Sequence, residues 1–282
     1  MYSYKQSIKS DTSDELINTY LLRPIAGVIV GALYPTQVTP NQVTIASIVV
    51  GIVAAGVYLF GTPTALLIAG LLVTLKDILD SADGQLARAK RQYSRVGRFL
   101  DSIGDFFVDA ALFAAIGWVL YRQEHTLWML VLAALGLLGI SLRVSYHVFY
   151  QANFLHLQKD YTTNRVTEEV REDDIINGGT ELALQQIFQF LYGWQDRWMM
   201  KIDRWSAHQS FAAAQNATEE FRHRWYTDKI ALRISGFLGF GTELFLLMLF
   251  SVFHQLKIYL YLNLFLMNGV WLCCVWYRRT QV

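Results

Sequence analysis

Long apolar runs constrain this chain more than any other feature of its sequence. Several runs are near 20 residues long, which is the length of helix that crosses the hydrocarbon core of a bilayer. Charged residues make up 17% of the 282 residues, whereas a typical soluble domain has about 25%. The sequence therefore predicts an all-α, polytopic membrane protein.

Six of these runs are predicted to be transmembrane helices, and they cover residues 42–60, 64–79, 98–121, 126–150, 229–253 and 256–277. Together they define one predicted domain, residues 35–282. Pro40 fits the first turn of the first helix, because its missing N–H would have no helical partner there. The second helix is expected to continue beyond the membrane as far as Arg91.

The N-terminal segment, residues 1–34, differs from these runs. Residues 1–14 are polar, and the apolar stretch 15–34 is interrupted by Arg23-Pro24. Such a stretch favours an amphipathic helix lying along the membrane surface. A membrane-spanning course for 15–34 is the alternative that the sequence leaves open.

A long polar segment, residues 151–228, separates the fourth and fifth predicted spans. It contains Trp194, Trp198 and Trp205 at helical spacing beside basic residues, a pattern typical of an amphipathic helix on the cytoplasmic leaflet. A helix packed on the surface of the protein itself is an equally weighted alternative. We interpret the segment as a cytoplasmic insertion.

Basic residues are concentrated on one side of the predicted membrane. The turns on one side hold only Arg122 and Lys257 as strong bases, whereas the other side holds Lys5, Lys9, Arg23, Arg88, Lys90, Arg91, Arg95, Arg98, Arg278 and Arg279. Because positive loops stay in the cytoplasm, both termini and the region 80–105 are expected on the cytoplasmic side of a cytoplasmic or inner membrane. The net charge of +1 gives no indication of a nucleic-acid partner.

Four aspartates lie near the ends of the second and third predicted spans. Asp80 and Asp83 are three residues apart, and Asp101 and Asp105 are four apart, so each pair lies on one face of its helix. The short polar link at residues 90–96 makes the two helices antiparallel neighbours, and the pairs can then face one another. Acidic residues are costly in a membrane and are functional candidates there.

Facing carboxylates repel each other unless a counter-charge is present. A divalent cation supplies that charge, and an all-oxygen ligand set favours Mg²⁺, Mn²⁺ or Ca²⁺ over zinc. Four carboxylates are enough for two such ions, and Arg88 adds a planar cation suited to phosphate. Two other interpretations stay open, namely helix-end aspartates paired with nearby basic residues, and a cation transporter that uses the aspartates as an ion path.

The pattern Asp80-x2-Asp83-Gly84-x2-Ala87-Arg88-x8-Gly97-x3-Asp101-x3-Asp105 resembles the signature of the CDP-alcohol phosphotransferase (CDP-alcohol phosphatidyltransferase) family. The resemblance covers residues 35–150, and it implies a homodimer that binds Mg²⁺ or Mn²⁺. It implies four metal ligands, of which Asp105 is also the general base: Asp80, Asp83, Asp101 and Asp105. It further implies contacts with the CDP moiety from Asn41, Thr44, Gly84, Ala87, Arg88 and Gly97.

The same resemblance implies a reaction in which the hydroxyl of a second alcohol attacks the β-phosphate of a CDP-alcohol and CMP leaves. One expected donor is CDP-diacylglycerol, in phospholipid or polar-lipid biosynthesis. The other is a soluble CDP-polyol, because the N-terminal run is similar to members that join inositol units. Arg143 in the fourth span is a candidate acceptor-binding residue. The alternative is that Arg143 lies near the cytoplasmic end of the span and extends its charged group to the membrane surface.

Overall fold

The computed structural model describes residues 15–158, 178–207 and 219–280, together with Tyr4. These residues form helices and connecting turns, with no strand among them, so the all-α prediction is confirmed. The other polar residues of 1–14, and residues 159–177 and 208–218 of the predicted insertion, lie outside the described residues.

Nine helices account for the described part of the chain. They are α1 (Asn18–Leu33), α2 (Pro40–Tyr58), α3 (Pro63–Lys90), α4 (Arg95–Glu124), α5 (Trp128–Leu157), α6 (Gly179–Ser206), α7 (Glu219–Tyr226), α8 (Lys229–Val252) and α9 (Leu256–Thr280). Helix α1 begins with a π-helical segment, Asn18–Leu22. Helix α8 is interrupted by a 3₁₀ turn, Gly236–Leu238, and α9 contains a second π-helical segment, Leu262–Met267.

Helix starts follow side-chain caps that the sequence supplies. The Thr39 hydroxyl accepts a hydrogen bond from the Gln42 N–H, and the Gln42 side chain accepts one from the Thr39 N–H, which is a capping box. The Thr62 and Ser94 hydroxyls cap α3 and α4 by accepting hydrogen bonds from the N–H groups of Ala65 and Gly97. These caps set where α2, α3 and α4 begin, and thereby the register of the aspartates.

Five helices, α2, α4, α5, α8 and α9, are long and apolar enough to cross a membrane. Helix α3 is not among them, because Lys76, Asp77 and Asp80 interrupt its apolar sequence. Its first half nevertheless exposes large apolar side chains such as Leu71 and Leu75. The multi-pass architecture agrees with the sequence, and the count of six spans plus an interfacial α1 stays a prediction.

Small residues let α2 approach α3 and α4 closely. A Cβ atom at Gly51 would lie 2.5 Å from Val108 Cγ1 and 3.3 Å from Lys76 Cγ. A Cβ atom at Gly104 would lie 2.2 Å from Ile48 Cδ1, which is closer than real contacts allow. Close backbone approach of this kind is typical of membrane helices, and here it presses α3 and α4 against a common partner.

Helix α1 packs on α3 and leaves its other face open. Leu22, Ala26 and Val30 are buried in one cluster with Ile78 and other α3 residues, and the Gln85 side-chain amide donates to the Arg23 carbonyl at 3.1 Å. The opposite face exposes Tyr20, Leu21, Ile25 and Val28. This amphipathic arrangement suits the predicted course along a membrane surface, which stays a prediction.

Helix α6 packs on the protein itself through one face, and the contact of its aromatic face with the cytoplasmic leaflet stays a prediction. Its buried side includes Gln185, Gln195, Met199 and Asp203. The opposite side exposes Phe190, Trp198 and Trp205, while Trp194 is half-buried. The helix therefore covers α4 and α5 with a polar inner face and presents aromatic side chains outward.

Candidate active site

Three of the four predicted metal ligands converge between α3 and α4. Carboxylate oxygens of Asp80, Asp101 and Asp105 all lie within 4.8 Å of one another. The Oδ1 atoms of Asp80 and Asp101 are buried and have no hydrogen-bond partner among the described residues, although both residues are only half-buried as a whole. The antiparallel arrangement expected from the short link thus brings the pairs together.

Asp83, the fourth predicted ligand, lies on α3 with Asp80 but is not part of this trio. Its side chain is buried and accepts a short hydrogen bond from the Thr44 hydroxyl on α2. The same hydroxyl oxygen lies 3.2 Å from the Pro40 carbonyl oxygen, which competes for its single hydrogen. Asp83, a predicted metal ligand, and Thr44, a predicted CDP contact, are therefore direct neighbours.

The arrangement fits a divalent cation. Carboxylate oxygens are the ligands that Mg²⁺ and Mn²⁺ prefer, and buried oxygens without donors are costly unless a cation or hydrogen-bond donor faces them. Asp101 Oδ1 is such an oxygen, and Asp80 Oδ1 also lacks a hydrogen-bond donor among the described residues, with the Lys76 ammonium 3.8 Å away. Asp80 and Asp101, with Asp105, are the residues that would hold the ion.

Lys76 is the main site residue that sequence reasoning missed. Its ammonium lies 2.5 Å from Asp105 Oδ1 and 3.8 Å from Asp80 Oδ1, and its side chain is 3% exposed. Asp77 and Asp109 are also buried, and both attract the Lys76 charge. The available signal was spacing, since Lys76 precedes Asp80 by one helical turn and therefore shares its face.

Four of the predicted CDP contacts lie beside each other in pairs, Gly97 with Asn41 and Gly84 with Arg88. A Cβ atom at Gly97 would lie 2.3 Å from Asn41 Oδ1, so the start of α4 touches the start of α2. A Cβ atom at Gly84 would lie 3.5 Å from a guanidinium nitrogen of Arg88. Ala87 is half-buried between these motif positions on α3. Their contacts with CDP remain predictions.

Arg143 is fully buried in a polar network between helices. It forms an ion pair with Glu243, and its Nη1 donates to the Asn263 carbonyl at 3.0 Å and to Asn268 Oδ1 at 2.7 Å. Asn263 also donates to Glu243 at 3.0 Å. These contacts balance the buried charge without an acceptor molecule, and the predicted acceptor contact stays untested.

Helix α6 borders the aspartates through Tyr192. Its hydroxyl donates to the Ser102 carbonyl at 2.7 Å, and its ring packs edge-on against Phe106. Burial raises the pKa of the Tyr192 hydroxyl well above its usual value, and the charge of Asp105 adds to the effect. Tyr192 therefore remains a neutral hydrogen-bond donor beside the site.

Comparisons with known proteins connect this geometry to enzymes. A bifunctional IPC transferase and DIPP synthase of Thermococcus kodakarensis is 38% identical over 135 residues, which are 48% of this chain and 29% of that protein. The phosphatidylinositol phosphate synthase of Corynebacterium glutamicum is 35% identical over 127 residues, 45% of this chain and 55% of the synthase. The archaetidylinositol phosphate synthase of Pyrococcus horikoshii is 38% identical over 79 residues, 28% of this chain and 40% of the synthase.

The similarity is confined to part of each protein. The chain spans between 23% and 29% of the length of three bifunctional relatives. Residues 37–163 match the sequence model of the family described as CDP-alcohol phosphatidyltransferase, and this range includes α2 to α5 with the four aspartates of the motif. The resemblance carried by the aspartate motif is thereby confirmed over residues 37–163, where the chain matches the CDP-alcohol phosphatidyltransferase model.

Proposed function

We propose that this protein transfers a substituted phosphate group from a CDP-linked alcohol to the hydroxyl of a second alcohol and releases CMP. The observation that carries the proposal is the trio of Asp80, Asp101 and Asp105, whose oxygens lie within 4.8 Å of one another inside the range that matches the family model. A bound Mg²⁺ or Mn²⁺ would neutralise charge on the phosphates.

The chain's own residues then have distinct tasks. Asp105 accepts the proton of the attacking hydroxyl, a role that the resemblance to the family implies for the last aspartate of the motif and that its place in the trio supports. The hydroxyl oxygen forms a bond to the β-phosphorus, the bond from that phosphorus to the bridging oxygen breaks, and the electron pair leaves with CMP. Arg88 binds phosphate oxygens, and positioning with electrostatic stabilisation supplies most of the rate in such transfers.

The cytidine end of the donor is proposed to lie where α2 meets α4. Gly97 has no side chain, and Asn41 fills the space beside it. Thr44 holds Asp83 from the same end of α2. We therefore assign Asn41, Thr44, Gly84, Ala87 and Gly97 to donor binding, next to the metal ligands.

The proposed substrate class follows from the relatives' names. Two of them are named as synthases of inositol phosphate lipids, which supports a role in phospholipid or polar-lipid biosynthesis with CDP-diacylglycerol or a similar CDP-lipid as donor. Others are named IPC transferase and DIPP synthase, which keeps a soluble CDP-polyol of the inositol type as the second candidate. A homodimer with its site and termini at the cytoplasmic face is part of the same proposal.

A donor panel tests this proposal. Purified full-length protein in detergent is incubated with Mg²⁺ or Mn²⁺, each CDP-alcohol in turn, and a set of alcohols that includes inositol and inositol phosphate, and released CMP is measured. CMP release with at least one pair, lost in Asp105→Asn and kept in Glu219→Gln at an exposed position, is the expected result. No CMP release from any donor would contradict the proposal.

A further inference from the structure

We propose that the outer face of α6 binds the headgroups of anionic phospholipids, and that this contact holds α6 against the start of α4. The outer face is the side of α6 turned away from the protein. Its members are exposed, and they are Phe190, Arg197, Trp198, Lys201, Arg204 and Trp205. The lipid in this inference is bound and not converted, so the inference does not depend on the proposed reaction.

The charges of α6 are divided between its two sides. Arg197, Lys201 and Arg204 are exposed and follow each other at intervals of four and three residues, so they form one row along the helix. The acidic residues of α6 lie outside this row, and they are Glu181, Asp196 and Asp203. The outer face therefore carries three positive charges with no acidic residue of α6 among them, which is the complement of an anionic surface.

Aromatic side chains lie beside the basic row. Phe190 is 82% exposed, and Trp198 and Trp205 are about half exposed. The Lys201 ammonium lies 5.9 Å from the ring centroid of Trp198. The Arg279 guanidinium, at the end of α9, lies 4.2 Å from the ring centroid of Trp205 and adds a fourth cation. Exposed aromatic rings next to cations are typical of a helix lying in the interface of an anionic leaflet, and the cations favour an anionic lipid over a neutral one.

The inner face of α6 connects this surface to the candidate active site. The Tyr192 hydroxyl donates to the Ser102 carbonyl on α4 at 2.7 Å. Near the start of both helices, Arg95 on α4 forms an ion pair of 2.9 Å with Glu181 on α6. Both partners of this pair are more than 40% exposed, and an exposed ion pair contributes little by itself. Lipid binding on the outer face thus adds to the free energy that keeps α6 beside the aspartates.

Hydrogen–deuterium exchange in lipid nanodiscs tests the inference without any substrate. Full-length protein is reconstituted in nanodiscs of phosphatidylcholine alone or of phosphatidylcholine with phosphatidylglycerol, and amide exchange in residues 181–206 is followed by mass spectrometry. Phosphatidylglycerol is expected to slow this exchange about tenfold or more, because several basic residues each gain attraction to the lipid surface. Exchange in α2 is expected to stay the same. The slowing should shrink at high salt, which screens exposed charges.

Two matched variants locate the effect. The triple variant Arg197→Gln/Lys201→Gln/Arg204→Gln removes the basic row at exposed positions, where substitutions change stability little. It is expected to lose the slowing caused by phosphatidylglycerol. The control variant removes three exposed basic residues of α7 and α8 and is expected to keep the slowing. Its substitutions are Arg222→Gln, Arg224→Gln and Lys229→Gln.

Three outcomes would overturn the inference. The first is equal exchange of α6 in the two kinds of nanodisc, and the second is slowing by phosphatidylglycerol that persists in the triple variant. The third is protection of α6 that follows the number of protein copies in a disc instead of the anionic lipid, which would assign the face to a second copy of the chain. A failure to release CMP would contradict the proposed function and leave these exchange results unaffected.

Discussion

The Thr44 hydroxyl donates a hydrogen bond to the Asp83 carboxylate, and this contact joins the start of α2 to the aspartate motif on α3. Both side chains are buried, at 3% and 8% exposure. The bond explains how two distant parts of the sequence form one site, because Thr44 fixes the orientation of a carboxylate that lies outside the trio.

Thr44→Val is therefore expected to destabilise the fold and to weaken the site. A buried carboxylate left without its donor costs about 1–3 kcal/mol, which thermal unfolding in detergent will show as a lower Tm. Thr44→Ser keeps the hydroxyl and is expected to recover most of the loss. Equal Tm values for Thr44→Val and the wild type would show that the bond contributes nothing.

Gly97→Ala is expected to displace Asn41. The added Cβ would lie 2.3 Å from Asn41 Oδ1, and overpacking of this kind costs about 1–3 kcal/mol. The double variant Gly97→Ala/Asn41→Ala removes the clash and is expected to regain stability but not donor affinity. Gly56→Ala is the matched control, because nothing lies within 4 Å of its Cβ position. Full donor affinity in the double variant would remove Asn41 from the proposed binding site.

Breaking the ion pair between Arg143 and Glu243 is expected to be severe. Both side chains have no solvent exposure, and removing one partner of a buried pair costs about 3–5 kcal/mol. Glu243→Gln should therefore lower Tm more than the double variant Arg143→Met/Glu243→Met, which leaves no charge unpaired. If the folded double variant shows a raised KM for the acceptor alone, Arg143 contacts the acceptor as well.

Tyr192→Phe tests the contact between α6 and α4. Loss of the bond to the Ser102 carbonyl is expected to cost about 0.5–1.5 kcal/mol at neutral pH. Because burial raises the pKa of Tyr192 in the folded protein, its contribution is complete below the unfolded pKa of about 10 and falls as pH rises above it. Denaturant unfolding between pH 7 and 11 should therefore show the difference from Tyr192→Phe shrinking at high pH. A constant difference would contradict this account.

The sequence predicted the aspartate centre because its spacing is a local property of two helices. Asp80, Asp101 and Asp105 needed only helical periodicity and a short link to converge. Lys76 was missed although it shares their face, because a basic residue near the end of a membrane helix is ordinarily interpreted as a surface charge.

Contacts between residues far apart in the chain could not be predicted from the sequence. Glu243 is 100 positions from Arg143, and the periodicity of each helix gives no information about that pairing. The inner face of α6 was left open for the same reason, since its aromatic pattern fits both a lipid surface and a protein surface. The structure shows that one face of α6 packs on α4 and α5, and the contact of its exposed aromatic side chains with lipid stays a prediction.

Metal-dependent CMP release in the wild type and in Asp101→Asn tests the central claim most directly. Asp101 belongs to the trio and presents a buried oxygen without a donor in the described residues. With its CDP-alcohol donor and Mg²⁺ or Mn²⁺, the wild type is predicted to release CMP, and chelation or Asp101→Asn is predicted to lower the rate by at least about 10³-fold. An unchanged rate after chelation, or in the folded Asp101→Asn variant, would contradict the account.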